Sequence, residues 1–394
     1  MLATFADIVL TSGACLLALP VVVLCAQMLG AWRGPGKPLA LSSTRPTVAV
    51  LVPANNEEAG IGALIAHASQ QLCAGDRILV VADNCSDDTA SIAARHGAEV
   101  LVRNDRLRRG KGFALADGLR HLAAFAPEIV IFLDADCRLS AGGVDSLARA
   151  SARSQSPVQC LYLMLAAPGQ SRLAEFAWRV KNELRPAGFA RLGFPCQLFG
   201  TGMAIPWRCI ESGQFATGHL TEDTFIGLEL AMRGFAPRFA RDVRVESIFP
   251  ESSKGRRQQK RRWLHGHLAL IGSHTPRLIG QALRRGDWAA LALGVDLLVP
   301  PLVLLAGAYA TMFFLCAAWR LAGQSSLPLF VTGMGGAGFL LSLVIAWILR
   351  GKDLIGVTEL LEAPSYLWSV VGHCANFALG NRAAWIRAER PRLG

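Results

Sequence analysis

The sequence predicts an α/β domain built on an open parallel sheet and placed between apolar segments long enough to cross a membrane. From Pro46 to about Ile279, short β-branched runs alternate with Ala-rich helical stretches, as in sheets whose strands are joined by crossover helices. Polar motifs follow several of these runs. Three further stretches approach the roughly 20 apolar residues that a helix needs to span the hydrocarbon core of a bilayer.

Composition excludes several classes of protein. The chain has 394 residues, of which 52% are hydrophobic and 18% charged, with a formal net charge of +11, and its mean hydropathy is +0.35. These values exclude a disordered chain, a collagen and a small disulfide scaffold, and they argue against a purely soluble enzyme. The ten cysteines stand singly, without a Cys-x-x-Cys pair. Free thiols are therefore expected rather than a zinc site or disulfides.

The predicted membrane spans are about Ile8 to Gly30, Leu291 to Trp319 and Leu327 to Leu349. A signal peptide is the alternative for the first, but it lacks a basic start and a cleavage site. Residues 1–32 are therefore interpreted as a retained anchor. Asp296 and Pro300 interrupt the second span, and a structural kink is expected there.

Basic residues beside the spans fix the expected orientation. They are Arg33, Lys37, Arg284, Arg285, Arg350 and Lys352. Because basic flanks stay in the cytosol, we expect a multi-pass protein of the bacterial inner membrane, with residues 46–280 in the cytoplasm and two transmembrane helices within 288–350. Residues 354–394 are predicted to form an interfacial or re-entrant helix and a basic cytosolic tail, because charged residues break their apolar pattern.

Each element of the cytosolic domain follows from a local pattern. Near-continuous apolar runs are typical of strands buried on both faces of a parallel sheet. They predict strands over Thr47–Val52, Asp76–Ala82, Glu99–Val102 and Ile129–Leu133. Apolar residues at helical spacing predict helices over Glu57–Leu72, Asp87–His96 and Gly112–Phe125.

Polar motifs follow the first, second and fourth of these strands, over Pro53–Glu57, Asp83–Thr89 and Asp134–Asp136. Because the carboxyl ends of parallel strands meet at one edge of a sheet, the motifs predict a single cleft. The sequence has no glycine-rich dinucleotide fingerprint after the first strand and no Walker A loop. The predicted site is therefore built from carboxylates.

Asp134 and Asp136 flank a single residue after a buried strand, so both carboxylates lie on one side of an extended chain. Such a pair can hold Mg²⁺ or Mn²⁺ between the protein and a diphosphate. The alternative is the N-terminal cap of a helix. The triplet alone leaves both interpretations open.

Asp83 ends an apolar strand, and its carboxylate could accept a hydrogen bond from a base or ribose. Three other groups have both a functional and a structural interpretation. Lys111 could seat a phosphate or stand in an exposed basic turn. Thr221-Glu222-Asp223 could supply a general base or cap a helix. Gln259–Trp263 could clamp a leaving diphosphate or form a solvated charge run. Nucleic acid is not an expected partner, because Trp263 is the only aromatic residue within the basic run.

Together, these motifs resemble the membrane-embedded members of glycosyltransferase family 2, which include cellulose, hyaluronan, chitin-oligosaccharide and poly-N-acetylglucosamine synthases. The resemblance covers about Pro46 to His267, and its ordered set is PANNE, DNCSDD, GKG, DAD, GTGMA, TED and QKRRW. It implies a GT-A, Rossmann-like domain inserted between transmembrane helices. It also implies a nucleotide-diphospho-sugar donor, with UDP as the expected carrier, Mg²⁺ or Mn²⁺ as cofactor, and inverting transfer of a hexose.

The resemblance also implies roles for individual residues. The donor would be bound by Pro53, Glu57, Asp83, Lys111 and Asp134. The catalytic set would be Asp136 as the principal metal ligand, Asp223 as the base that takes the acceptor proton, and Glu222 beside it. The acceptor and the leaving diphosphate would be bound by Gly200, Thr201, Gly202, Gln259, Arg262 and Trp263.

The function implied is extension of a polysaccharide or oligosaccharide at the cytosolic membrane face. Expected partners are the donor, a glycan or lipid acceptor, membrane lipid, and an export or accessory subunit, since two C-terminal spans are too few for a full translocation channel. One alternative is a single addition to a membrane lipid. A catalytically silent membrane scaffold is the other, and the presence of Asp136, Asp223 and Arg262 argues against it.

Overall fold

The computed structural model describes residues 2–34, 36–211 and 213–359, with Leu361, Glu362, Pro364, Ser365 and Trp368. Most of the predicted interfacial helix and all of the basic tail within 354–394 lie outside these residues. The described residues divide into two compact units. We call residues 37–170 and 194–266 the sheet unit, and the N-terminal residues to 36, residues 171–193 and the described residues from 267 onward the helical unit.

The sheet unit contains a mixed sheet of eight strands in the order β3-β2-β1-β4-β7-β6-β8-β5. The strands are β1 (Val48–Ala54), β2 (Arg77–Asp83), β3 (Glu99–Arg103), β4 (Ile129–Phe132), β5 (Arg138–Leu139), β6 (Val158–Leu165), β7 (Met203–Pro206) and β8 (Arg238–Ile248). The first four in sheet order run parallel. β7 is antiparallel to both β4 and β6, β8 is parallel to β6 and β5 is antiparallel to β8.

The four predicted strands are confirmed, and their side chains explain the pairing. β1 lies between β2 and β4, and Val50 is in register with Ile78 on one side and Ile131 on the other. All three side chains are buried, because helices cover both faces of a parallel sheet. The sequence did not predict β5 to β8, of which β7 has four residues and β5 only two.

The predicted helices are confirmed with shorter bounds. The helices of the structure are α1 (Leu2–Trp32), α2 (Ile61–Ser69), α3 (Thr89–Arg95), α4 (Lys111–Leu122), α5 (Gly143–Ser154), α6 (Leu173–Arg179), α7 (Arg185–Arg191), α8 (Glu222–Met232), α9 (Ser253–Arg285), α10 (Trp288–Leu297), α11 (Leu302–Leu321) and α12 (Leu327–Arg350). A π-helical turn, Val180–Leu184, joins α6 to α7. In the sheet unit, Leu51, Leu115, Phe132 and Ile226 belong to one buried core between the sheet and its helices.

The predicted continuous domain of 46–280 differs from the sheet unit, because residues 171–193 and those from 267 onward fall in the helical unit. Phe176, Val180 and Leu184 pack in an apolar cluster with Leu24 and Met28 of α1. These side chains bury apolar surface against the N-terminal helix, which contributes roughly 25 cal/mol per Å².

Three helices are long and apolar enough to cross a membrane: Ala3–Trp32, Leu302–Leu321 and Leu327–Arg350. The predicted second span, 291–319, is wrong in its bounds, since the chain leaves the helix after Leu297 and re-enters it at Leu302. Pro300 and Pro301 explain the break, because proline has no amide hydrogen to continue a helix. Asp296 is buried there and accepts hydrogen bonds from Arg185 Nη2 (2.7 Å) and Gln27 Nε2 (2.6 Å).

Two helical glycines of the helical unit differ in their surroundings and give a test of the packing. A Cβ at Gly188 of α7 would overlap the carbonyl oxygen of Gln27, whereas a Cβ at Gly272 of α9 meets nothing within 4 Å. We expect Gly188→Ala to lower the midpoint of thermal unfolding in detergent. Gly272→Ala, the control, should raise stability by about 0.5–1 kcal/mol, because alanine favours the helix. Equal effects of the two substitutions would contradict the close packing of α1 on α7.

Candidate active site

The motifs that follow β1 and β2 are joined by hydrogen bonds at one edge of the sheet. Asn55 Nδ2 donates to the carbonyl of Asp83 (2.6 Å), and the amide of Ser86 donates to Asn56 Oδ1 (2.7 Å). The amide of Glu57 donates to Thr89 Oγ1 (2.8 Å). These bonds hold Glu57 next to the turn after β2. Pro53 lies near the end of β1, a few residues before Glu57.

Arg103, at the end of β3, pairs with carboxylates from three segments. Its guanidinium lies 2.6 Å from Asp83 Oδ1, 2.6 Å from Asp117 Oδ2 and 3.2 Å from Asp105 Oδ2. Burial raises the pKa of Asp83, and the bond from Arg103 acts in the opposite direction. Asp83 is thus a buried, ion-paired carboxylate that lines the cleft edge between β1 and β3.

Lys111 connects four of the sequence motifs. Its Nζ lies 2.6 Å from Asp134 Oδ1 and 3.7 Å from Glu222 Oε1, and it donates to the carbonyl of Gly200 (2.7 Å). Burial opposes the charge of this ammonium group, but Asp134 and Glu222 raise its pKa above the usual range. The exposed-turn interpretation of Lys111 is therefore wrong.

Gly112 explains how Lys111 reaches this position. A Cβ at Gly112 would lie 2.5 Å from the carbonyl oxygen of Thr217 and 2.8 Å from that of Phe215. Glycine is therefore required where the start of α4 meets the chain segment that precedes α8. The GKG motif is a packing requirement as well as a source of charge.

Glu222 and Asp223 occupy the first turn of α8. Asp223 Oδ1 accepts a hydrogen bond from the amide of Thr224 (2.7 Å), and Asp223 Oδ2 lies 2.9 Å from the place of a Cβ on Gly200, which has a φ of +90°. Burial and the neighbouring Asp223 raise the pKa of Glu222 to about 7, while Lys111 and Arg262 lower it. The TED motif therefore begins a helix and also faces the cleft.

The QKRRW motif lies in the first half of α9, where Gln259, Arg262 and Trp263 share one face by their spacing. Gln259 is buried. Arg262 Nε is buried without a hydrogen-bond partner among the described residues, and its charge acts on Glu222. An unpaired buried donor costs free energy unless a ligand satisfies it. The solvated-run interpretation is thus wrong for Gln259.

Asp134, Asp136 and Cys137 form a group that could hold a metal ion, since one ligand atom from each lies within 4.8 Å of the others. The amide of Asp134 donates to Thr201 Oγ1 (3.1 Å). The helix-cap interpretation of this triplet is wrong, because β5 follows it and the next helix begins only at Gly143. Two carboxylates in this arrangement fit a divalent cation.

The predicted residues thus fall into two groups within the sheet unit. Contacts of the described residues connect Lys111, Asp134, Gly200, Glu222, Asp223 and Arg262. Pro53, Glu57 and Asp83 lie at the ends of β1 and β2, where Asp83 pairs with Arg103. Gly202 lies beside β4, since its amide donates to the carbonyl of Phe132 (2.8 Å).

Sequence reasoning missed Arg103 and Cys137. Arg103 lies one residue beyond the predicted third strand, which ends at Val102. A charged residue directly after an apolar strand run was the available signal, since such a residue lies at the ligand-binding edge of the sheet. Cys137 was considered only for pairing with other cysteines or histidines, whereas its neighbours are aspartates.

Comparisons with known proteins show the family of the chain. The model of the family described as "Glycosyltransferase like family 2" matches residues 46–266. An uncharacterized glycosyltransferase of Mycobacterium tuberculosis is 32% identical over 193 residues, which cover 42% of this chain and 82% of that protein. Glucomannan 4-beta-mannosyltransferase 7 of Arabidopsis thaliana is 25% identical over 268 residues, covering 62% of this chain and 46% of the plant protein.

One solved structure matches nearly the whole chain. It is the mannosyltransferase PcManGT from Pyrobaculum calidifontis in complex with GDP-Man and Mn²⁺, with a TM-score of 0.60 and 18% identity, covering 95% of this chain and 100% of that one. At this identity the likeness shows the fold. The GT-A fold expected from the sequence is confirmed.

Arg103 and Arg77 allow a matched test of burial. Arg103→Met would leave Asp83 and Asp117 without their buried partner, and we expect it to lower the free energy of unfolding by about 3–5 kcal/mol. The Arg77–Glu99 pair lies on the neighbouring strands with side chains 30% and 34% exposed, so Arg77→Met should cost less than about 1 kcal/mol. Denaturant titration of both variants measures the difference, and similar losses would contradict the central place of Arg103.

The raised pKa of Glu222 predicts a pH dependence of stability. The folded protein holds this proton up to about pH 7, whereas the ordinary pKa of a glutamate side chain is 4.5. Between these pH values the folded state binds more protons than the unfolded state, so stability falls as the pH rises. In Glu222→Gln, the midpoint of unfolding should therefore fall less than in the wild type as the pH rises through this range. The exposed control Glu251→Gln should keep the full wild-type fall, and an unchanged profile in Glu222→Gln would refute the assignment.

Proposed function

The chain belongs to the glycosyltransferase-like family 2, and we propose that its cleft transfers a hexose from a nucleoside diphosphate to an acceptor hydroxyl with inversion at the anomeric carbon. The observation that carries this proposal is the placement of Lys111 beside the carboxylates of Asp134 and Glu222. The charge of Arg262 also acts on Glu222, and Arg262 Nε is buried without a hydrogen-bond partner among the described residues. A departing diphosphate needs cations, and an alcohol nucleophile needs a carboxylate base. Glycosidases pair two carboxylates without a diphosphate clamp.

In the proposed reaction, Asp223 accepts the proton of the acceptor hydroxyl. The acceptor oxygen forms a bond to the anomeric carbon while the bond to the diphosphate breaks, and the electron pair leaves with the diphosphate. Asp223 Oδ1 is held by the amide of Thr224, which orients the carboxylate. Glycine at position 200 leaves room beside Asp223 Oδ2, and we propose that the acceptor's terminal sugar approaches there.

We propose that Lys111 orients Asp134 and Glu222, and that Arg262 binds the leaving diphosphate together with Gln259. Trp263 would stack on the acceptor sugar, because an indole face packs well on a sugar ring. On the donor side, Pro53 and Glu57 would line the nucleoside pocket. Asp83, oriented by Arg103, would accept a hydrogen bond from the base, for which a uracil is the expected partner.

Asp134 and Asp136 would hold Mg²⁺ or Mn²⁺, since carboxylate oxygens suit these hard cations. Such an ion supplies charge neutralisation for the leaving diphosphate when it is bound. Thr201 Oγ1 accepts a hydrogen bond from the amide of Asp134 and so holds the backbone of the proposed metal site. Asp136 is the principal ligand in this proposal.

The apolar helices support a reaction at a membrane. We propose that Ala3–Trp32, Leu302–Leu321 and Leu327–Arg350 cross the bacterial inner membrane, with the sheet unit in the cytoplasm, where basic flanks are retained. The QKRRW motif favours extension of a glycan. The small number of spanning helices among the described residues favours a single addition to a membrane lipid, and an extended product would need an additional export subunit.

The first test is turnover by detergent-solubilised protein with Mg²⁺ or Mn²⁺, a panel of nucleotide sugars, and glycan and lipid acceptors. We expect release of nucleoside diphosphate, with Asp223→Asn slower by about 10²–10⁴-fold because the base is lost, and Asp136→Ala slower as well. The control Asp242→Asn changes an exposed carboxylate of β8 and should keep wild-type turnover.

The size of the product separates the two forms of the proposal. A ladder or high polymer would establish extension, and one discrete lipid-soluble product would establish single addition. Full turnover in Asp136→Ala and Asp223→Asn would overturn the site assignment. No release from any donor would instead favour the scaffold.

A further inference from the structure

Cys137 directly follows the Asp134–Asp136 triplet, and the fold turns its side chain toward the carboxylates. Its thiol donates to Asp136 Oδ1 across 3.6 Å, and the residue is 5% exposed. Sulfur and carboxylate oxygens lie within 4.8 Å of one another. A thiol is thus part of the group that we propose as the metal site.

The separation of sulfur and oxygen suits joint binding of one ion. For Zn²⁺, the distances to sulfur and to a carboxylate oxygen are about 2.3 and 2.1 Å, and a tetrahedral angle between them places the two ligand atoms about 3.6 Å apart. The Cys137 Sγ to Asp136 Oδ1 distance is 3.6 Å. The two atoms therefore need little rearrangement to share a cation.

The surroundings of Cys137 differ from those of the other buried cysteines. The buried phenol of Tyr162, bonded to Ser247 Oγ (2.9 Å), interacts electrostatically with Cys137, Asp136 and Asp134. Cys209, by contrast, belongs to the apolar core. Cys137 alone among the described cysteines belongs to a candidate metal-binding group.

We propose that Cys137 is a sulfur ligand of the donor-site cation, so that this centre binds borderline and soft divalent ions such as Co²⁺, Zn²⁺ and Cd²⁺ more tightly than an all-oxygen site would. The inference rests on the proposed function for the location of the site. On binding, the S–H bond breaks, the sulfur–metal bond forms and the proton passes to solvent. Mg²⁺ takes oxygen ligands, so the sulfur gives it little advantage, whereas thiolate favours softer ions.

The test is binding of Cd²⁺, Co²⁺ and Mg²⁺ to the full-length protein in detergent, without donor. We expect one equivalent of Co²⁺ or Cd²⁺ to give a thiolate-to-metal charge-transfer absorption that Cys137→Ser lacks. Calorimetry should show Cd²⁺ binding to Cys137→Ser that is weaker by at least about 10–100-fold. Losing a residue that only supports a metal ligand already costs this much. The affinity for Mg²⁺ should change by less than about threefold, because Mg²⁺ gains little from sulfur.

Two further variants control for other thiols and for folding. Cys73 is an exposed free cysteine, so Cys73→Ser removes a thiol away from the site and should keep the absorption and the Cd²⁺ affinity. Asp136→Asn keeps Cys137 and removes the principal ligand, so weaker Cd²⁺ binding in this variant locates the ion at the triplet. An unchanged Cd²⁺ affinity in folded Cys137→Ser would overturn the proposal. If Cys137→Ser does not fold, the absence of the charge-transfer absorption from the wild type would overturn it.

The outcomes for the sulfur ligand and for the proposed function are distinct. Release of nucleoside diphosphate with Mg²⁺, but no charge-transfer absorption with Co²⁺ or Cd²⁺, would overturn the sulfur ligand and leave sugar transfer standing. The absorption in wild type and its loss in Cys137→Ser, without release from any donor, would support the sulfur ligand and count against sugar transfer.

Discussion

The arrangement of the cleft depends on the ammonium group of Lys111. It lies between the carboxylates of Asp134 and Glu222 and donates to the Gly200 carbonyl, so one cation joins the ends of a strand, a loop and two helices. Without it, the negative charges of Asp134 and Glu222 would lack the cation that they share, and like charges repel each other. A partly buried charge of this kind is stable only when its partners are held in place by the surrounding backbone. Gly112 allows that backbone contact.

A second buried cation, Arg103, lies at another part of the same sheet edge. Arg103 binds three carboxylates from β2, from the loop after β3 and from α4. Its planar guanidinium can direct several donors to different acceptors at once, which a lysine cannot do. The two cations therefore divide the edge of the sheet into a part near the ends of β1 to β3 and a part near the end of β4. In the proposed function, the first part binds the donor and the second holds the reacting groups.

Much of this arrangement is contained in local sequence pattern. The first four strands are continuous apolar runs, and the motifs after β1, β2 and β4 follow from the rule that parallel strands end at one edge. Local pattern does not indicate β5 and β7, which are very short, or β8, which charged residues interrupt. β6 is a largely apolar run of eight residues, so local pattern was sufficient to predict it. Residues 171–193 join the helical unit through packing with α1, which no local pattern shows. The partners of Arg103 and Cys137 are also set by tertiary structure. A single residue in a sequence does not indicate which side chains will lie next to it in the fold.

The reversal of direction at β7 has a consequence for how such a site can change over generations. β7 runs antiparallel to β4, so the loop that enters it, with Gly200 to Gly202, arrives at the edge where β1, β2 and β4 end. Under the proposed function, the donor side and the acceptor side of the reaction come from stretches of chain that are separate in sequence and neighbours in space. The segment before β7 could then be lengthened or replaced, and with it the proposed acceptor, without any change in the segments proposed to bind the nucleotide.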